Sequence, residues 1–194
     1  CTWWTDPRAN QMSKFAVVTG ANRGIGATTS AALIKDGWTV ALLGRDINSL
    51  ETTAKELGSS ATPISCDVSD PQSVAKAFQE VKSKFGRLDL LFNNAGIASP
   101  GSLLEEITPE DWQRVININI GGVFYCTQQA FAIMKDQNPQ GGRIINNGSI
   151  SAQVPRPNSA PYTASKHAVT GLTRSTSLDG HKYNIACGQI DIGN

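Results

Sequence analysis

The sequence predicts an α/β protein: a doubly wound parallel sheet with helices on both faces. Three observations carry the prediction. Short apolar runs recur along the chain, and each is followed by a longer stretch of helical character. Alternation at this rhythm implies parallel strands joined by right-handed helical crossovers. The runs, such as Phe15-Ala16-Val17-Val18, are almost wholly apolar rather than alternating, as expected where helices cover both sheet faces.

Phe15 to Val18 is the first strand, ended by Thr19-Gly20, and Ala27 to Lys35 reads as the helix after it. Thr39 to Leu43 makes the second strand, Asn48 to Leu57 the second helix, and Thr62 to Cys66 the third strand. Asp70 is placed to cap a helix with Pro71 at its first position, running to about Phe85. Leu88 to Phe92 is the fourth strand. Thr108 caps a long helix with Pro109 at its first position and Glu110 and Asp111 in its first turn, continuing to about Lys135. Arg143 to Asn146, Tyr162 to Ser177 and Asn184 to Cys187 complete the series as strand, helix and strand, while Ala98 to Glu106 reads as a loop.

A length of 194 residues suits a single α/β domain over residues 14–194, preceded by an N-terminal extension over 1–13. The net charge of +1, with no Lys/Arg stripe, points away from nucleic acid and from an anionic membrane surface. No apolar run approaches the length of a membrane span, and the first dozen residues resemble neither a signal nor a transit peptide. The four cysteines are scattered, without a C-x-x-C pair or zinc-type spacing, and read as reduced thiols of a cytoplasmic protein.

Thr19-Gly20-Ala21-Asn22-Arg23-Gly24-Ile25-Gly26 joins the first strand to the first helix. Glycines let the backbone turn tightly and approach a pyrophosphate, and the helix N-terminus offers unpaired N–H groups to it. Gly20, Asn22, Arg23, Gly24, Ile25 and Gly26 are therefore candidate contacts for a dinucleotide cofactor. An NAD site usually carries an acid at the end of the second strand, roughly 20 residues on, to bind the ribose hydroxyls. Here Gly44 occupies that position and Arg45 follows. Arg45 and Arg23 would suit a 2′-phosphate through charge-assisted hydrogen bonds, which favours NADP over NAD. Asp46 is the rival: pointing inward, it would favour NAD.

Tyr162-Thr163-Ala164-Ser165-Lys166 places a tyrosine and a lysine one turn apart on the same helix face. A free tyrosine has a pKa of about 10, and a neighbouring ammonium favours its ionised form. Such a pair can exchange a proton with a substrate oxygen. Ser149 lies at the end of the fifth strand, Asn93-Asn94-Ala95-Gly96 follows the fourth, and Asn119 interrupts an apolar helical stretch where an unbonded amide would be costly.

With these motifs in this order, the chain resembles a short-chain dehydrogenase/reductase over about Phe15 to Gly188, with the Rossmann-like fold of that family. The resemblance implies hydride transfer between NADP(H) and a carbonyl or alcohol carbon. It makes Tyr162 the acid/base, with Lys166 modulating it and binding the nicotinamide ribose. Ser149 would orient the substrate oxygen, and Asn119 would hold a relay water through its backbone carbonyl. Asp67 and Val68 would lie at the adenine, and Asn93, Ala95 and Gly96 along the cofactor path. No metal is implied. Ser149, Ser151 and Tyr162 would meet the substrate, with Ala98, Gln153, Val154 and Pro155 as further pocket-facing positions. The family also pairs its long helices between subunits, and the small-residue stripe Ala164, Ala168 and Leu172 suits a homo-oligomer.

Two departures stand out. A Pro-Gly usually follows the sixth strand in the family; here the segment is Cys187-Gly188-Gln189-Ile190-Asp191, without the proline, and Gln189 and Ile190 are left to offer backbone groups to the nicotinamide. Family members also continue past this point, so the C-terminal part of the fold, with its substrate-covering lobe, is expected to be missing. A cofactor-binding but weakly active or inactive scaffold is the alternative reading. A hydrolase triad built from Ser149 and His167 is disfavoured, since no G-x-S-x-G elbow is present.

Overall fold

The computed structural model describes residues 13–99 and 101–193, so the expected N-terminal extension lies, Ser13 apart, outside the described residues. Six strands, β1 (Lys14–Thr19), β2 (Trp38–Gly44), β3 (Ala61–Ser65), β4 (Leu90–Asn93), β5 (Gly142–Asn147) and β6 (Ile185–Ile190), form one sheet in the order β3-β2-β1-β4-β5-β6. Every pairing is parallel. The chain winds outward from β1 to β3, then crosses back to β4 on the other side of β1. That reversal opens a crevice beyond the carboxyl ends of β1 and β4, where such sheets bind ligands.

The apolar runs are explained by burial on both faces. On one face Val17, Ala41, Leu91 and Ile144 pack with Val74, Phe78 and Val81 of α3 (Pro71–Phe85) and Cys126, Ala130 and Met134 of the helix here called α5 (Gly122–Asp136). On the other, Ala16, Val18, Val40, Leu42 and Phe92 pack with Leu33 and Ile34 of α1 (Gly24–Lys35) and Leu50 and Ala54 of α2 (Ile47–Leu57). Each fully buried Val, Leu or Phe among these contributes about 1.5–3 kcal/mol. The sixth helix, α6 (Ala160–Gly180), joins the first face, since Thr173 reaches Asn146 of β5 there. The second face is left open at its β6 end, where Ala186, Gly188 and Ile190 are exposed.

Local signals place the helix ends. Asp46 caps α2 by accepting from Ser49 N at 3.2 Å, and Asp70 caps α3 by accepting from Gln72 N at 3.0 Å. Thr108 Oγ1 accepts from Asp111 N at 3.1 Å at the start of α4 (Pro109–Ile116). The single long helix expected to follow is instead broken by a π-helical turn over Asn117–Gly121, which separates α4 from α5. Such turns widen the backbone spiral by one residue and recur at functional sites. Gly122 follows immediately, and a Cβ there would lie 2.8 Å from Val68 Cγ2, so only glycine lets α5 approach the end of β3 this closely. No helix among the described residues is long and apolar enough to cross a membrane. Cys66, Cys126 and Cys187 are free thiols, and burial pushes the Cys66 and Cys187 thiols up to about 11.

Candidate active site

The glycine turn closes on itself as its sequence suggested. Gly20 has φ of +62°, a conformation that side chains with a Cβ avoid. A Cβ on Gly26 would overlap the Gly20 carbonyl oxygen and lie 2.7 Å from Asn94 Nδ2. The turn is tied across the switch point to the end of β4. Thr19 Oγ1 accepts from the amides of Asn94 and Ala95, both at 2.9 Å, and Asn94 Nδ2 donates to Thr19 O at 2.9 Å. These bonds hold the first and fourth strand ends at the spacing of the crevice.

A cavity of about 400 Å³ occupies that crevice. Gly20, Asn22, Arg23, Gly24 and Ile25 line one side, and Asn94, Ala95 and Gly96 another. Gly44, Arg45, Asp67 and Val68 line it as well. Gly26 stands behind the turn, against Gly20 and Asn94. Asn22 is braced by Nδ2 donating to Ser49 Oγ and by its carbonyl accepting from Thr53 Oγ1. Asp67 Oδ1 accepts from both the amide and hydroxyl of Ser69. Arg23 and Arg45 thus line a single cavity. Asp46 does not line it, its carboxylate being used on the α2 N-terminus. A cleft lined by glycines beside a helix N-terminus, with two arginines and polar groups in its wall, fits a dinucleotide phosphate.

A second cavity, about 480 Å³, continues from the first past Ile25, Asn94, Gly96, Ile97 and Asn147. Ser149, Ser151, Tyr162 and Lys166 converge on it. β5 delivers Ser149 at its carboxyl end, and α6 delivers Tyr162 and Lys166 one turn apart. Lys166 is 9% exposed; its Nζ donates to Asn147 O at 2.7 Å and sits 5.5 Å from the centre of the Tyr162 ring. Burial brings the ammonium pKa down to about 8, with the negative charge of Asp191 pulling the other way. Ser149 Oγ accepts from Ser151 N at 3.1 Å, which leaves its own proton for another acceptor. Asn119 lies 2% exposed in the π turn, with its amide bonded to Ile97 N, Ile97 O and Ser165 Oγ. Its side chain therefore braces the wall shared by the two cavities.

Not every residue expected at the site reaches it. Asn93, expected along the cofactor path, is 3% exposed and turned under the sheet, where Nδ2 donates to Thr127 Oγ1 and Asn146 Oδ1. Strand alternation is the reason: Asn93 shares the face of Leu91, and the next residue, Asn94, faces the crevice. Gln189 likewise turns inward to Thr170, Thr173 and Asp191, and Ile190 is 51% exposed on the open face; neither lines either cavity. Ala98 lines the second cavity, whereas Gln153, Val154 and Pro155 are exposed and stand outside it. Sequence reasoning passed over Asn94 and Asn147, which line both cavities, and Arg156 and Ile192, which line the second. Asn94 adjoined a residue that was singled out; Asn147 acts through its carbonyl, which no side-chain pattern announces.

The fold and the crevice define a doubly wound nucleotide-cleft protein with a Ser–Tyr–Lys cluster beside the cleft. Comparison with known proteins narrows the class. The family model described as short chain dehydrogenase matches residues 14–194. A 3beta-hydroxysteroid dehydrogenase of Mediterraneibacter gnavus is 36% identical over 180 residues, covering 91% of this chain and 64% of that protein. A 3-oxoacyl-[acyl-carrier-protein] reductase of Staphylococcus aureus is 38% identical over 187 residues, covering 94% of this chain and 75% of the relative. The crystal structure of a 3-ketoacyl-(acyl-carrier-protein) reductase from Brucella melitensis complexed with NADH superposes with a TM-score of 0.90 at 31% identity, over 93% of this chain and 75% of that one. The chain belongs to the short-chain dehydrogenase family, a family of oxidoreductases. It spans just under two thirds of the length of the steroid dehydrogenase it matches.

Proposed function

We propose that this chain carries the site for hydride transfer between NADP(H) and a carbonyl or secondary alcohol, with Tyr162 as the acid/base. The observation that carries the reading is the convergence of Ser149, Tyr162 and Lys166 on a cavity continuous with the glycine-lined crevice. Bound NADP(H) would supply or take up the hydride at the substrate carbon. The chain's own groups handle the oxygen. Tyr162 gives its phenolic proton to the carbonyl oxygen in reduction and takes it back in oxidation. Lys166, desolvated beside the ring and held by Asn147 O, sets a positive charge where the phenolate forms. Ser149, whose oxygen is held by Ser151 N, directs its proton at the same substrate oxygen. Asn119 keeps the wall around Ile97 in place and, on the family pattern, would hold a relay water through its carbonyl.

NADP is favoured over NAD by the presence of both Arg23 and Arg45 in the crevice lining and by the use of Asp46 as a helix cap. Gly20, Asn22, Gly24, Ile25 and Gly26 would hold the pyrophosphate, with Asp67 and Val68 at the adenine and Ala95 and Gly96 along the path. The substrate reading is a small molecule; the reading also takes in a cytoplasmic location and a homo-oligomer, since Ala164, Ala168 and Leu172 are half-buried in the single chain.

The test mixes the protein with NADPH and a panel of ketones, aldehydes and quinones, beside Tyr162→Phe. Activity in the parent chain and its loss in the variant are expected. Equal inertness of both, with NADPH still bound, would overturn the catalytic reading and leave a cofactor-binding module.

A further inference from the structure

We infer that Asp191, just beyond β6, is a positioning residue of the catalytic cluster: its carboxylate fixes the backbone of Ser149 and supplies the counter-charge for Lys166. Its catalytic meaning rests on the acid/base reading of Tyr162 and Lys166 above.

The geometry is built from both ends. Asp191 Oδ1 accepts from Ser149 N at 3.1 Å and from Gln189 Nε2 at 2.6 Å. Gln189 is itself anchored to α6, with Nε2 donating to Thr170 Oγ1 at 3.0 Å and Oε1 sharing the Thr173 hydroxyl proton, at 3.2 Å, with Val169 O, at 2.8 Å. Thr173 accepts from Asn146 Nδ2 at 2.8 Å, and Asn146 Oδ1 accepts from Asn93 Nδ2 at 2.9 Å. A continuous polar chain thus runs from the buried centre of the sheet to the carboxylate, and the carboxylate hands it on to Ser149. Although Asp191 is an exposed residue, its Oδ1 is not a free surface anion.

Gly148 supplies a second, independent observation. A Cβ at that position would overlap Asp191 Oδ1 and lie 2.7 Å from Gln189 Cγ, so the seat of the carboxylate exists only because residue 148 is glycine. Ser149 is then held twice, its amide by Asp191 and its Oγ by Ser151 N. Charged-acceptor bonds of this kind are about twice as strong as neutral ones.

The titratable and charged side chains around Lys166 are few. Tyr162 comes from its own helix, Arg156 lines the same cavity from the loop before α6, and Asp191 follows β6; the π turn contributes the neutral Asn119 through Ser165. Asp191 is the carboxylate whose field acts on Lys166, against the effect of burial. Its loss makes the ammonium easier to deprotonate.

The test needs neither substrate nor cofactor and so stands apart from the activity assay. Nitrogen-15 spectra of the 194-residue chain follow the Ser149 amide and the Lys166 Nζ with pH. The Ser149 amide proton is expected to move upfield in Asp191→Asn, where a neutral acceptor replaces the charged one. In Asp191→Asn, which keeps the shape and an acceptor, Lys166 is expected to lose its proton about one pH unit lower. Gly148→Ala, which displaces the carboxylate without removing it, is expected to move Lys166 in the same direction and decides the matter should Asp191→Asn fail to fold. A Lys166 titration unchanged in the folded variant, or a Ser149 amide unmoved by Asp191→Asn, overturns the inference. Absence of reductase activity in the parent chain, with these spectral changes as expected, would sink the catalytic reading instead.

Discussion

Asn119 and Ile97 hold each other reciprocally: Asn119 Oδ1 accepts the Ile97 amide proton at 2.9 Å, and Asn119 Nδ2 donates to the Ile97 carbonyl at 2.9 Å. One side chain in the π turn thereby replaces the strand partner that Ile97 lacks beyond the end of β4. Because Ile97 lines both cavities, the clamp sets the wall between the crevice and the Ser149–Tyr162–Lys166 cluster. Asn119→Ala is expected to strand both backbone groups and to lower the unfolding free energy by about 2 kcal/mol, read from the urea midpoint at constant m-value. NADPH affinity should fall with it. A change under about 0.5 kcal/mol, in the range of ordinary surface substitutions, would show the clamp to be dispensable.

Lys166 makes stability depend on pH in a direction opposite to that of an ordinary ion pair. Its pKa falls from 10.5 to about 8 on folding, chiefly through burial. Between those values the unfolded chain holds a proton that the folded chain has released, so stability rises with pH through the window. The cost of the buried charge is fully present below about pH 8 and is on the order of 3 kcal/mol. Denaturant titrations at pH 7.5 and 10.5 on the parent chain and Lys166→Met should differ by that amount in their pH response, with the variant flatter. Parallel responses would mean that the lysine is solvated in the folded state.

Arg23 and Arg45 both line the crevice, reached from two different βα junctions. If they receive a 2′-phosphate, Arg45→Ala should weaken NADPH binding by about tenfold or more while leaving NADH nearly unchanged, since a charged hydrogen bond contributes about 1.5–3 kcal/mol. Arg23→Ala should act in the same sense. Isothermal titration with the two nucleotides checks this, and equal losses for both would transfer the preference to NAD, the nucleotide whose reduced form sits in the Brucella melitensis reductase.

Gly26→Ala tests the crevice floor without touching a charge. The added methyl has no room against Gly20 O and Asn94 Nδ2, and both are fixed, one by the turn and the other by its bonds to Thr19 and Gly20. The expected cost is about 1–3 kcal/mol of stability together with loss of measurable nucleotide binding. Ala27, one residue on, is half-buried in the same helix, so Ala27→Ser provides the matched control and should bind normally.

Much of the architecture was legible because it rests on interactions between near neighbours. Thr108, Asp70 and the prolines after them declare helix starts, since the atoms they satisfy lie within three residues. The apolar runs announced a sheet covered on both faces, and the four-residue spacing of Tyr162 and Lys166 put them on one side of a helix whatever the helix packed against. Gly20 to Gly26 read as a ligand turn for the same local reason.

The unforeseen placements fall where partners are distant. The side chains of Asn93 and Gln189 bond to residues 53 and 16 positions away, because strand parity turns them beneath the sheet. The break in the long helix at Asn117–Gly121 was invisible for the same reason: Asn119 answers to Ile97 and Ser165, 22 and 46 residues off. Asp191 entered the site only through Ser149, 42 residues before it.

Caps, turns, apolar periodicity and the Tyr162–Lys166 pair could thus be read from the chain alone, because short-range sterics and hydrogen bonding have few solutions for a given string of residues. Which asparagine faces the crevice, whether Asp46 or Arg45 lines it, and which carboxylate lies near Lys166 were decided by packing. A side chain's environment depends on strand order and helix placement, and those follow from the burial of the whole core rather than from any local run of sequence.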